Sequence, residues 1–149
     1  MKAAVLRGVL LLACLATAAA AQERPERSVR ARTLYVHHCS GCHLPDGSGA
    51  PDKAIPSMRG MLGQFLQVPG GREFIAQVPG VMNSPLKDAE AAELMNWLLP
   101  YVSAATLPAG LAPYTADEMA RLRHSRPADL MARRAELLRA MAAAGLAVP

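Results

Sequence analysis

Two cysteines and a histidine lie within five consecutive residues, Cys39-Ser40-Gly41-Cys42-His43. Two thiols separated by two residues and followed at once by a histidine are the attachment pattern of a c-type haem. Each thiol can add across one vinyl group of a porphyrin, and on a helix the following imidazole is carried beneath the ring, where it can bind the iron. The motif therefore predicts one covalently attached haem c, anchored by Cys39 and Cys42, with His43 as the proximal iron ligand.

Cysteines at this spacing also occur in zinc sites and in redox-active dithiols. A tetrahedral zinc site needs a second pair of ligands, and the third cysteine of the chain, Cys14, lies in an N-terminal apolar run. A redox dithiol is expected beside a strand-helix-strand pattern, which this sequence does not show. The haem interpretation is therefore favoured over both.

The N-terminus is typical of a secretory signal peptide. Lys2 and Arg7 give it a positive start, an apolar core follows, and small residues before Gln22 offer a cleavage site. The apolar stretch is shorter than the roughly 20 residues that a membrane-spanning helix needs. We therefore expect residues 1–21 to be a signal peptide and the mature protein to be periplasmic, with no membrane span.

A second interpretation of the N-terminus is a lipoprotein signal. Leu11-Leu12-Ala13-Cys14 resembles a lipoprotein cleavage box, which would make Cys14 a lipidated N-terminus. The apolar core before it is short for such a signal, so lipid anchoring at Cys14 is the less favoured alternative.

Charge and composition narrow the possible functions. The formal net charge of +4 falls to +2 once Lys2 and Arg7 are removed with the signal peptide, so nucleic acid is not an expected partner. Aromatic residues make up only 4% of the chain, but a buried porphyrin would supply apolar surface of its own. No carboxylate pair, nucleophile-base arrangement or phosphate loop stands out, so an electron-transfer protein is favoured over an enzyme.

Apolar residues before and after the motif recur at helical spacing, and this pattern predicts an all-α fold. We expect helices over residues 29–42, 60–66, 71–77 and 87–101. Ser28 is a candidate N-cap of the first helix, and Pro100 is expected to bend or close the last one. The haem motif should therefore lie at the end of the first helix.

The C-terminal part of the chain is expected to be an extension of this domain. Residues 104–113 are rich in Pro, Ala and Gly and suggest a linker, and Thr115 with Glu118 forms a capping-box pattern before apolar stripes that Pro127 interrupts. Arg121, Arg123 and Arg126, beside His124, are interpreted as a solvated basic face. These helices either pack back onto the preceding domain or dock a partner.

Residues from about 30 to 103 resemble the small mono-haem class I cytochromes c. Leu34-Tyr35 before the motif, the turn Asp46-Gly47-Ser48-Gly49, the segment from Pro56 to Gly63 and the final helix occur in the family's order. The resemblance implies a cytochrome c-like domain at residues 22–103, and it does not cover the linker and helical extension that the composition and capping pattern predict at residues 104–149. It also implies that Tyr35 packs on the final helix near Leu94 and Trp97.

The resemblance further implies a hydrogen-bond acceptor for the proximal histidine and a sixth ligand for the iron. The carbonyl of Pro56 would accept the Nδ1 proton of His43 and orient the imidazole. Met82 lies where the family places its distal ligand, although Asn83 replaces the commonest following residue, proline. Met58 is the alternative ligand, Met61 and Met95 are expected in the core, and His37, His38 or an open position stay possible.

The function implied by the resemblance is that of an exported electron carrier. Its donor would be a periplasmic dehydrogenase or other redox protein, and its acceptor an oxidase or another cytochrome. Two alternatives stay open: a permanent electron-transfer subunit of a periplasmic dehydrogenase complex, held through the extension, and a haem enzyme or gas sensor with an open iron site.

Overall fold

Helices make up the regular secondary structure of the computed structural model, which describes residues 26–149. They are α1 (residues 26–38), α2 (Ser40–His43), α3 (Met61–Phe65), α4 (Gly71–Gln77), α5 (Pro79–Met82), α6 (Asp88–Ser103), α7 (Ala116–Arg123) and α8 (Leu130–Ala143), with 3₁₀ turns at Pro51–Lys53 and Ala104–Thr106. Within these residues the one β-type pairing is an isolated bridge between Ala50 and Ile55. The predicted all-α class is confirmed, while the predicted signal peptide and Cys14 lie outside the described residues.

The described residues fall into two units. Residues 26–30 belong to an N-terminal unit, and Ala31–Pro149 form one compact unit. Among residues 26–149, no helix has both the length and the apolar character needed to cross a membrane.

The helix bounds follow the sequence pattern with two corrections. Residues 26 and 27 are already helical, so Ser28 lies inside α1 and is not its N-cap; Glu26 and Arg27 are good helix formers and extend the helix. Pro100 does not close α6, which continues to Ser103. Val102 and Ser103 are buried, and this packing keeps the last turn helical although Pro100 lacks an amide donor.

The C-terminal extension packs onto the rest of the compact unit. Tyr114, Met119, Leu137 and Met141 belong to the same hydrophobic cluster as the core residues of α1, α4 and α6. Met119 and Met141 are fully buried, so the extension contributes central core side chains. The sequence left two possibilities open, packing onto the preceding domain or docking a partner, and the structure shows that the extension packs.

Each helix of the extension has a capping side chain at its N-terminus. Thr115 Oγ1 accepts a hydrogen bond from the Glu118 amide at 3.1 Å, as the capping pattern predicts. The Glu118 carboxylate pairs with Arg72 of α4. Asp129 caps α8 in the same way, with its Oδ1 accepting from the Ala132 amide at 2.9 Å. The break between α7 and α8 falls at Pro127, where the apolar stripes are interrupted.

Candidate haem-binding site

The Cys-Ser-Gly-Cys-His motif continues the helical path of α1. The amide of Cys39 donates to the carbonyl of Tyr35 at 2.9 Å, and the amide of His43 donates to the carbonyl of Cys39 at 2.9 Å. Cys39 is half-buried, Cys42 is exposed, and the two form no disulfide bond with each other. The motif thus presents two thiols and an imidazole from one short helical stretch.

The electrostatics of Cys39 do not suit a redox-active dithiol. Burial raises the pKa of its thiol to about 11, and the neighbouring Cys42 adds to the rise. Redox-active cysteines have a lowered pKa, because the thiolate is the reactive form. The raised pKa of Cys39 therefore argues against thiol exchange at this motif.

The His43 imidazole is partly buried, and this burial changes its pKa. Burial lowers its pKa, and the backbone carbonyl of Pro56 partly offsets that effect. Nδ1 is buried, and in this geometry no acceptor makes a full hydrogen bond to it. The lowered pKa keeps the ring neutral near neutral pH, which is the form that binds a metal. The structure thus brings His43 and Pro56 together, whereas the hydrogen bond between them that the resemblance implies stays a prediction.

The loop after the motif places Pro56 beside His43. The amide of Gly49 donates to the carbonyl of His43 at 3.2 Å, and Ala50 and Ile55 exchange two hydrogen bonds of 3.0 Å. Gly49 has a φ of +74°, and a Cβ there would lie 2.6 Å from the Ile55 oxygen. Only glycine allows this close return of the chain.

A cavity of about 800 Å³ adjoins the motif. Its lining comes from the motif (His38, Cys39, Cys42, His43), the following loop (Pro51, Ala54, Ile55, Pro56, Ser57, Met58), α3 and α4 (Met61, Leu62, Phe65, Phe74, Ile75), the 78–86 region (Val78, Pro79, Gly80, Val81, Ser84, Leu86), α6 (Ala91, Leu94, Met95, Leu98) and the extension (Leu130, Met131, Arg134, Pro149). Cofactor cavities of about 300–1,000 Å³ are usual. The two thiols, the neutral imidazole and the apolar walls fit a porphyrin bound at this motif.

The methionines predicted as ligand candidates occupy different positions. Met82 ends α5 and is half-buried, but its side chain is not among those that line the cavity. Met58 lines the cavity, as do Met61 and Met95, and Met95 is only 2% exposed within the core. Of the two histidines before the motif, His38 reaches the cavity lining and His37 does not.

Tyr35 supports the motif from the core. Its ring is 1% exposed and lies 5.8 Å from the ring of Trp97 on α6, the packing that the sequence predicted. Its hydroxyl donates to the carbonyl of Leu44 at 2.5 Å, directly after His43. Leu44 has a φ of +58°, which is unusual for a residue with a side chain. The Tyr35 hydroxyl therefore helps to fix the chain where it leaves the motif.

Two features of the site were not predicted from the sequence. The extension supplies part of the cavity wall, including Arg134, which is the one Lys, Arg, Asp or Glu side chain among the described lining residues. Arg123, interpreted as part of a solvated basic face, is buried, whereas Arg121 and Arg126 are exposed as expected. The apolar stripe of α8 indicates that the helix packs, but no local pattern indicates on which surface.

Comparison with known proteins gives two matches, both to cytochromes c-552 of Thermus thermophilus. The first is 32% identical over 119 residues, covering 66% of this chain and 90% of that protein. The second, from one particular strain of the same organism, is also 32% identical over 119 residues, covering 66% of this chain and 80% of that protein. No family model matches the chain.

Proposed function

The chain belongs to the small c-type cytochromes, and from this premise we propose that it carries single electrons between redox partners of the periplasm. Haem c is its cofactor, and when bound it supplies an iron that takes up and releases one electron. The observation that carries the proposal is that both cysteines and the histidine of the attachment motif line one apolar cavity. The proposed donor is a periplasmic dehydrogenase or other redox protein, and the proposed acceptor an oxidase or another cytochrome.

The residues of the motif have separate tasks in this proposal. Cys39 and Cys42 would anchor the cofactor through thioether bonds, and His43 would bind its iron. Pro56 orients the His43 ring by accepting its Nδ1 proton, a small adjustment from the present geometry. A hydrogen bond at the far nitrogen fixes the tautomer and raises the donor strength of a ligand histidine.

We assign the distal iron position to Met82. Met58 is tied to the loop that follows His43, because its amide donates to the carbonyl of Gly47 at 2.8 Å. Met82 instead belongs to a separate wall, the 78–88 segment, which contributes Val78, Val81 and other residues to the lining. Its half-buried side chain is not part of the hydrophobic cluster, so turning it into the cavity costs no core packing.

The apolar cavity and a methionine ligand both favour electron transfer. A methionine ligand raises the reduction potential and closes the iron to small molecules. Exclusion of water from the walls limits the rearrangement of solvent when the charge of the site changes. These properties serve electron transfer and not the transformation of a substrate.

A haem enzyme or gas sensor with an open iron position is the second candidate. The observation that favours it is that the Met82 side chain does not line the cavity. Carbon monoxide separates the two candidates: a methionine-bound ferrous iron resists it, whereas an open site binds it at once. Rapid binding to the reduced wild-type protein would replace the electron-carrier proposal with this one.

Paired variants test the ligand assignment. Met82→Ala should abolish the weak red sulfur-to-iron band of the ferric protein and lower its potential, because the iron loses a donor. Met58→Ala is the matched control, since it removes a thioether that lines the same cavity. It should keep the band and change the potential much less. Loss of the band in Met58→Ala alone would move the ligand to Met58.

A further inference from the structure

A buried arginine of the C-terminal extension contacts the 78–88 segment. Arg123 is the last residue of α7, and it is only 9% exposed. Its partners lie 35 to 42 residues earlier in the chain. A charged side chain is rarely buried unless its donors are satisfied, so the arrangement of its partners is informative.

The guanidinium of Arg123 is surrounded by oxygen atoms of one short stretch of chain. Its Nε donates to the carbonyl of Val81 at 3.2 Å, and Nη1 donates to the carbonyl of Leu86 at 2.8 Å and to Asp88 Oδ1 at 2.7 Å. Its Nη2 donates to the carbonyl of Ser84 at 2.8 Å and to Ser84 Oγ at 3.3 Å. One planar group thus binds four residues of the segment.

The residues that Arg123 contacts flank the proposed distal ligand, Met82, along the chain. Met82 follows Val81 directly and precedes Ser84 by two residues, so residues clamped by Arg123 lie on both sides of it. Arginine presents its donors in a fixed planar fork, so each bond fixes a direction as well as a distance. The clamp therefore restricts the backbone conformation from which the Met82 side chain starts.

We propose that Arg123 is a positioning residue for the distal iron ligand: it fixes the backbone of the 78–88 segment beside the cavity, so that the Met82 side chain can turn toward the iron from an ordered segment. The proposal rests on the assignment of Met82 made above. It gives the extension a role in tuning the site, because a segment that is already ordered loses less entropy when its methionine binds. Without the clamp, conformations of the segment in which the Met82 thioether lies away from the iron, called the open form here, should be more populated.

A second arginine clamp provides a matched control. Arg72 of α4 binds both carboxylate oxygens of Glu118 on α7, at 2.6 and 2.8 Å, and the carbonyl of Ala112 at 2.9 Å. It ties the same extension to the core, but its hydrogen bonds do not reach the 78–88 segment. Loss of this clamp should lower stability without releasing the ligand.

The test compares Arg123→Gln with Arg72→Gln in the haem-loaded protein. We follow the red ferric band and the helical circular dichroism during heating, and the rate at which carbon monoxide binds the reduced protein. In the wild type and in Arg72→Gln, the band should disappear together with the helices. In Arg123→Gln it should disappear before them, and carbon monoxide should bind roughly tenfold faster, because the rate follows the population of the open segment.

The outcomes separate this proposal from the ligand assignment. If band and helices disappear together in Arg123→Gln and carbon monoxide binds as in Arg72→Gln, Arg123 is only structural and the proposal is overturned. If Met82→Ala keeps the band, the ligand assignment fails and this proposal fails with it. If Arg123→Gln yields no haem-loaded protein, Arg123→Lys decides: it keeps the charge without the fork, and early loss of its band supports the proposal, whereas joint loss overturns it.

Discussion

Replacing Glu118 with glutamine should remove a pH-dependent part of the stability that the extension gives to this cytochrome. The Glu118 carboxylate accepts two hydrogen bonds from Arg72, and the two side chains are only 21% and 24% exposed. The Arg72 guanidinium also lies 3.9 Å from the centre of the Tyr114 ring. The pair therefore connects α4 to α7 in a partly desolvated place.

The size of the effect follows from what glutamine retains. It keeps one acceptor oxygen and loses the charge, so the loss is about 2 kcal/mol, within the range of one hydrogen bond to a charged group. Arg72 keeps the carbonyl of Ala112 and its contact with Tyr114, so it is not left without partners. For a domain of this size, about 2 kcal/mol corresponds to a melting temperature lower by roughly 8 °C.

The loss should depend on pH in a definite direction. Hydrogen bonds from Arg72 are the main cause that holds the pKa of Glu118 below its ordinary value of 4.5. A carboxyl whose pKa is lower in the folded than in the unfolded state stabilises the fold above the unfolded-state pKa, and this stability is lost as the pH falls through the folded-state pKa. The difference between wild type and Glu118→Gln should be constant near neutral pH, shrink below 4.5 and vanish in stronger acid.

Melting curves from circular dichroism, recorded on the haem-loaded proteins from neutral to acid pH, measure this difference. Arg72→Gln and the double variant complete the cycle, and the double variant should be less destabilised than the sum of the single variants by about 2 kcal/mol. An equal difference at neutral and acid pH, or additive losses, would refute the assignment of this stability to the Arg72–Glu118 pair.

Two further predictions concern the chain around the motif. Tyr35→Phe should keep the ring packing and lose the hydrogen bond to the Leu44 carbonyl, lowering the free energy of unfolding by about 1–2 kcal/mol; an unchanged denaturant midpoint would show that this bond contributes nothing. Gly49→Ala should cost about 3 kcal/mol, because it combines a positive φ with a collision at Ile55. Gly110→Ala, with a φ of +70° and open space around it, should cost only about 1 kcal/mol in the same titration, and equal losses would contradict the close approach.

Local patterns predicted the helices well because helices are held by local hydrogen bonds. The expected helix over residues 71–77 is observed as α4 (Gly71–Gln77), whereas the observed contact of Tyr35 with Trp97 was expected from the resemblance to the cytochromes c and not from a local pattern. Pro100 was expected to bend or close the last helix, and it does not close it, because burial of the following turn outweighs the missing amide. The rule that proline ends a helix considers only the local backbone and not the burial of the residues that follow.

Contacts between distant residues account for what the sequence did not predict. Arg123 lies in a basic stretch, and only the fold shows that its donors meet carbonyl groups some 40 residues away. The same holds for the cavity wall supplied by α8. The positions of Cys39, Cys42 and His43 were predictable because the whole motif is local, whereas the assignment of the distal ligand depends on how a separate segment packs and stays a proposal.

Acidified acetone extraction of the exported protein tests the central claim most directly, because the solvent removes haem that is only coordinated and leaves haem that is covalently bound. The wild-type protein should retain its haem in the protein pellet, and Cys39→Ala or Cys42→Ala should mature poorly, with at most one thioether bond. Release of the haem of the wild-type protein into the acetone would contradict covalent attachment at Cys39 and Cys42.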